Sequence, residues 1–211
     1  MLRNVINAVV LALALTATVT PPACAAQSDP AAQQVERFYG VLLDTMKRGP
    51  ALGMRGREQA LGPAVDAAFD LPTMMKFIVG PSWATMSDAD HKALVEAFRR
   101  MTVANYASNF DSFHGEHFDF DPDVQTRNGD RIVQTTLVPG NGKSVPLIYR
   151  MRQVGDQWKI IDVFLNGYVS ELATRRSDFA STLASGGASA LVKKMDALSD
   201  NLTSGGKPAN G

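Results

Sequence analysis

The sequence predicts an α+β domain, and three observations carry that expectation. Apolar residues recur at helical spacing in the first half, alternate with polar ones from Phe118, and return to helical spacing after Ser170. Turn signals at Asn128-Gly129, Pro139-Gly140-Asn141-Gly142 and Gly155-Asp156 cut the middle of the chain into short strands. The last of these, "QWKIIDVFL", is apolar on both faces, which requires cover on both sides. Helices, a meander and a returning helix pair make a curved sheet wrapped by helices. The cone they form is filled by side chains or by a ligand.

The elements follow in order. Residues 1–26 read as a secretory signal peptide: Arg3 is the only early charge, the run from Val5 to Val19 is apolar, and Ala23-Cys24-Ala25-Ala26 supplies a small-residue cleavage site. Cleavage there removes Cys24, the one cysteine, and with it any zinc-finger, redox or cysteine-nucleophile chemistry. A lipoprotein acylated at Cys24 is the alternative. Residues 27–200 are expected to form a single domain. Val35, Phe38, Tyr39, Leu42, Leu43 and Met46 mark a helix ending at Arg48-Gly49-Pro50. A second covers Arg57 to Ala68 despite Pro63, with Leu61, Val65 and Phe69 inward. Pro72 opens a third, "LPTMMKFIV", which Gly80-Pro81 ends. A capping box at Ser87-Asp88-Ala89-Asp90 starts the longest helix, which runs to about Phe110.

A four-stranded antiparallel meander comes next. Its third strand carries Pro146, which implies a bulge or a local edge there. A helix from about Ser170 presents Leu172, Phe179 and Leu183 and ends at Gly186-Gly187. A short helix, "ASALVKKMDAL", closes the domain, and the polar, Gly-rich residues 201–211 are expected to be a disordered tail.

Charge excludes some partners. With 21 Lys+Arg against 21 Asp+Glu, the chain has no electrostatic footprint for nucleic acid and no general attraction to anionic lipid. After the signal, no stretch is apolar enough for stable membrane insertion. "SFHGEHFDFD" gathers His114, Glu116, His117 and Asp119, but it crosses from a helix end into a strand. No helical face collects its histidines, so a solvated loop is expected rather than a metal site. The doublets Arg99-Arg100, Arg175-Arg176 and Lys193-Lys194 are expected to be mostly solvated and are the candidates for docking a partner.

The order "FDLPTMMKFIVG", the capped helix, "Y-R" in a strand, "WKIIDVFLNGYV", "RSDF" and "GGASALVKKM" resembles the MlaC / toluene-tolerance family of periplasmic lipid-binding proteins. The resemblance covers about Val35 to Leu198. "DVFLNGYVSELATRRSDF" is similar to its hopanoid-associated HpnM-like branch. The resemblance implies an NTF2-like cone, no cofactor, and a likeness to monomeric carriers. It also implies a phospholipid or hopanoid ligand, passed between an outer-membrane lipoprotein complex and an inner-membrane ABC transporter complex. Where the family often has Tyr before the equivalent of Arg176, this chain has Arg175.

A lipid carrier needs a large dry cavity. A diacyl lipid has on the order of 30 CH₂ groups at about 0.8 kcal/mol each, roughly 20–25 kcal/mol gross to withdraw from water. The helices offer Met75, Ile78, Phe98, Met101, Tyr106 and Phe179 as lining. The strands offer Val133, Leu147, Tyr149, Met151, Val163 and Phe164, with Tyr168 just beyond them. Tyr149 and Tyr168 are expected to place hydroxyls near the mouth. Asp162 and Arg176, the charges embedded in the most apolar stretches, are expected to form a structural ion pair. The alternative is an enzyme acting on an apolar, steroid-like substrate, with Asp162 as base and Tyr149 or Tyr106 as oxyanion donor.

Overall fold

A computed structural model describes residues 29–206. Residues 1–26, expected to be a signal peptide, and the end of the expected tail lie outside the described residues. The fold is α+β, as the periodicities require. Helix α1 (Pro30–Ala68) is capped by Asp29, whose carboxylate accepts from the Ala31 amide. It runs through Pro50 and Pro63, so the two expected helices are one element broken at Gly53. The break is sharp because Gly53 adopts φ 62° and ψ 179°, open to glycine and costly for other residues. Arg57 spans the break, donating to the Ala107 carbonyl (2.7 Å) and the Gly49 carbonyl (3.1 Å).

Helix α2 (Leu71–Val79) is capped by Asp70, and a 3-10 turn (Gly80–Thr85) leads out of it. Helix α3 (Asp88–Asn109) starts at the expected capping box, with Ser87 and Asp90 satisfying each other's amides. Its stripe of Leu94, Ala97, Phe98 and Met101 is buried.

The sheet has six strands rather than four: β1 (His117–Phe120), β2 (Gln125–Arg127), β3 (Asp130–Val138), β4 (Val145–Val154), β5 (Gln157–Leu165) and β6 (Val169–Ser170). The expected first strand is interrupted, and both pieces pair with β3, so the path is β1-β3-β4-β5-β6 with β2 beside β1. All pairings between these strands are antiparallel. Pro146 lies opposite Thr136 of β3, while the ladder to β5 begins only at Leu147↔Leu165. The proline therefore sits at a local edge, where no partner needs its missing N–H. The bulge lies further along. Arg150 faces Asp162, yet Met151 faces Ile160, so Ile161 is the extra residue. It switches which parity of β5 faces inward, bringing both Val163 and Ile160 onto the face of Tyr149 and Met151. The apolar doublet Ile160-Ile161 is its mark in the sequence.

Helix α4 (Glu171–Thr203) holds both expected C-terminal helices, broken at Gly187 (φ 61°, ψ −157°). It extends three residues into the region expected to be disordered. The break is a reversal. The Lys194 ammonium donates to the Asp178 carbonyl at 2.6 Å, whereas sixteen residues of straight helix span about 24 Å. The two arms therefore fold back on each other. The core lies between the sheet's inner face and the helices, with Val35, Leu61, Val65, Leu94, Ile160 and Leu191 fully buried.

Candidate functional site

The space between the sheet's inner face and α1, α3 and α4 is not filled. It holds a cavity of about 880 Å³, near the upper end of the roughly 300–1,000 Å³ usual for ligand pockets. Val145, Leu147 and Tyr149 of β4, with Val163 and Leu165 of β5, form its floor. Leu42 of α1, Met74 of α2, and Phe98, Met101 and Tyr106 of α3 form walls. The two arms of α4 contribute Leu172 from one side and Leu198 and Leu202 from the other.

The lining is segregated by chemistry. Sheet, α1 and α2 contribute carbon and aromatic rings. The polar side chains come from α3 (Thr102, Asn105, Asn109) and α4 (Glu171, Arg175, Lys194, Asn201). The one polar feature on the sheet side is closed on itself. The Tyr39 hydroxyl lies 2.7 Å from the Thr135 hydroxyl and 2.9 Å from that of Tyr149. Thr135 also donates to the Leu147 carbonyl at 3.2 Å. Burial pushes the phenols of Tyr39, Tyr106 and Tyr149 upward, so burial favours their neutral forms. Tyr39 also stacks on Phe118, with ring centroids 3.6 Å apart.

Of the thirteen lining residues expected from the sequence, Phe98, Met101, Tyr106, Leu147, Tyr149 and Val163 line this cavity. The Tyr149 hydroxyl is not at the mouth; it is buried against Tyr39. Met75, Ile78, Val133, Met151 and Phe179 are buried in closed core instead. Met75 is one residue out of phase: Met74 is the member of that doublet facing the cavity. Phe164 is half-buried opposite Ile148 on the other sheet face. Tyr168 is 78% exposed on the turn after β5. Tyr39, Leu165 and Val145 continue stripes already visible in the sequence, but Glu171, Arg175 and Lys194 left no signal that separates them from surface charges.

The expected ion pair of Asp162 and Arg176 is not formed. Asp162 accepts from the Val163 amide (2.8 Å), the Leu172 amide (3.2 Å) and the Ser170 hydroxyl (2.6 Å). It therefore ties the end of β5 to the first turn of α4, and its cross-strand neighbour is Arg150. Burial pushes its carboxyl up, against the three hydrogen bonds that lower it. Arg176 points away, donating to the Phe77 carbonyl (3.3 Å) and covering the Phe77 ring. Asp162 does not line the cavity, so the isomerase-like convergence with Tyr149 or Tyr106 is absent.

Among the described residues no group of three or more His, Cys, Asp or Glu side chains could hold a metal. His117 and Asp119 share an exposed strand face 3.8 Å apart. The basic doublets are less free than expected. Arg99 forms a two-bond pair with Asp66 (2.6 and 2.7 Å), and Arg100 ties α3 to Asp196 of α4. No described helix is long and apolar enough to cross a membrane.

The sequence matches the family model described as MlaC protein over residues 36–197. No curated protein matches it. Among solved structures it is similar to a phospholipid-binding protein from Ralstonia solanacearum, solved in complex with a phospholipid. The TM-score is 0.72 at 20% identity, covering 82% of this chain and 99% of that one.

Proposed function

The chain belongs to the MlaC family, and on that premise we propose that it is a non-enzymatic lipid carrier of the periplasm. The carrying observation is the 880 Å³ cavity, walled by carbon on the sheet side and left open between tightly packed elements. Protein interiors are otherwise close-packed, and an unfilled apolar space forfeits dispersion contacts along its whole lining. Acyl chains restore those contacts and are themselves withdrawn from water. The phospholipid bound to the Ralstonia solanacearum neighbour supports a phospholipid as cargo; a hopanoid, whose rings are equally apolar, is the other candidate. Residues 1–26 direct export and are removed. The loaded protein then moves between an outer-membrane lipoprotein complex and an inner-membrane ABC transporter complex as a monomer. Organic extraction of the purified mature protein followed by mass spectrometry tests this reading. About one lipid per chain is expected; a lipid-free extract, together with no uptake from vesicles, contradicts it.

A further inference from the structure

Tyr106 of α3 lines the cavity, and among the described residues its hydroxyl has no hydrogen-bond partner. Its ring is fixed by three others: Phe38, edge-on with centroids 5.1 Å apart, Phe69 at 5.9 Å, and Phe110 stacked at 5.9 Å. Packing therefore sets the position of the hydroxyl before any ligand arrives. Tyr149 and Glu171 act on the phenol through space, but neither bonds to it, and the Tyr149 hydroxyl is already held by Tyr39. Burial pushes the phenol well above its ordinary value, so the group stays an O–H donor. The hydroxyl is not sealed into the packing, and burial keeps it from bulk solvent, so the space it meets is the cavity.

A second donor stands beside it. Asn105 also lines the cavity; its amide oxygen accepts from the Asn109 amide at 3.2 Å, and both of its own N–H bonds are unused. The polar residue one turn back is closed, because Thr102 donates to the Phe98 carbonyl at 2.8 Å. Helix α3 thus presents two donors to a space whose sheet side is carbon and aromatic ring. A desolvated O–H left without an acceptor costs more than a made hydrogen bond contributes, so the occupant that completes this site carries an acceptor there.

We infer that Tyr106 and Asn105 are specificity residues for ester carbonyls, and that the cargo is an acyl ester whose carbonyl oxygens lie where its chains enter the apolar space. The inference rests on the carrier reading and adds the linkage by which the cargo is recognised. A carbonyl oxygen accepts and has no proton of its own to place, which matches two donors. A polycyclic hydrocarbon brings no acceptor and leaves the Tyr106 hydroxyl unpaired, so the site discriminates against it. The two donors are adjacent on one helix, as the two carbonyls of a diacyl lipid are adjacent on one glycerol.

The test exchanges the linkage and nothing else. The mature protein is incubated with vesicles holding equal amounts of a diester phosphatidylglycerol and its dialkyl ether counterpart, identical in head group and chain length. Bound lipid is counted by native mass spectrometry. The ester-to-ether ratio is expected to be about tenfold higher for the wild type than for Tyr106→Phe, the order of one unmade hydrogen bond. Comparing the two proteins cancels any difference in how readily each lipid leaves the vesicle. Asn105→Ala is expected to lower the ratio about threefold, and it carries the test if the melting temperature of Tyr106→Phe shows that this variant does not fold. A ratio that no folded variant changes overturns the ester site and leaves the carrier reading standing. Binding of neither lipid by the wild type overturns both. A saturated fatty acid in excess is expected to leave the bound diester in place; displacement of the diester would assign the two donors to a free carboxyl and overturn the ester assignment.

Discussion

Two buried aspartates respond to pH in opposite directions. Burial raises Asp130, but hydrogen bonds from Arg152 (2.8 and 2.9 Å) and Arg150 (2.6 Å) outweigh it and hold the carboxyl below its ordinary 3.8. Its stabilisation is complete above that ordinary value and is lost as pH falls through the folded value. Asp130→Ala is expected to cost about 1–3 kcal/mol at pH 7 by urea denaturation, limited because both arginines are two-fifths exposed and can rehydrate. The penalty should shrink once the pH falls below the carboxyl's range. Asp162 is the reverse case. Its folded value is raised, so its protonated form favours the fold at low pH, and that contribution disappears as pH rises through the folded value. Asp162→Asn keeps an oxygen for the Val163 and Leu172 amides and removes the buried charge. Its stability should stay within about 1 kcal/mol of wild type at pH 7 and vary less between pH 4 and 7; a loss above about 2 kcal/mol would show that the ionised carboxylate is needed. At this scale the sequence was legible for the apolar stripes and not for charge partners. Asp162 lies between the apolar Ile161 and Val163, but its pairing depends on where the first turn of α4 places its amides, which no local pattern records. Likewise, one step around a helix separates Met75 in the core from Met74 at the cavity.

At the scale of elements, breaks and close approaches decide the shape. Gly187 reverses α4 in a backbone region that only glycine occupies comfortably. Gly187→Ala is expected to cost about 1–3 kcal/mol and to loosen the second arm. Faster hydrogen exchange across residues 188–203 would report it, and unchanged exchange would argue that the reversal tolerates a side chain. Gly49 is constrained by space rather than by angle, since a Cβ there would meet the Asp111 carbonyl oxygen at 1.8 Å. Gly49→Ala must therefore push α1 away from the chain after α3, with an expected cost of about 2 kcal/mol or more in thermal or urea unfolding. The capping box of α3, the turn at Asn128-Gly129 and the two C-terminal helical stretches were all readable from local chemistry. The joining of the first two helices through Pro50 was not, because the packing of α1 against α3 outweighs the local stop signal. Of the two readings that Pro146 allowed, a bulge or a local edge, the structure has the edge, and the bulge lies elsewhere. Pro146 is conspicuous but harmless at its local edge, whereas the doublet Ile160-Ile161 carries the parity change.

For the molecule as a whole, helix and sheet faces that would ordinarily close on each other are held apart, and the closed Tyr39–Thr135–Tyr149 hydroxyl chain keeps the sheet side of the gap without free polar groups. The sequence supplied the apolar residues but not the gap, since a stripe that packs on a neighbour and one that faces a void look alike in periodicity. Leu147 sits in the floor with 7% of its surface exposed. Leu147→Trp should occupy the cavity while leaving the surrounding core in place. The most direct measurement is native mass spectrometry of the wild type and Leu147→Trp after incubation with phospholipid vesicles, with the melting temperature of each recorded in parallel. The account predicts about one lipid on the wild type, little or none on the variant, and melting temperatures within a few degrees. Equal lipid on both proteins, or none on the wild type, would contradict the claim that this cavity is where the cargo is held.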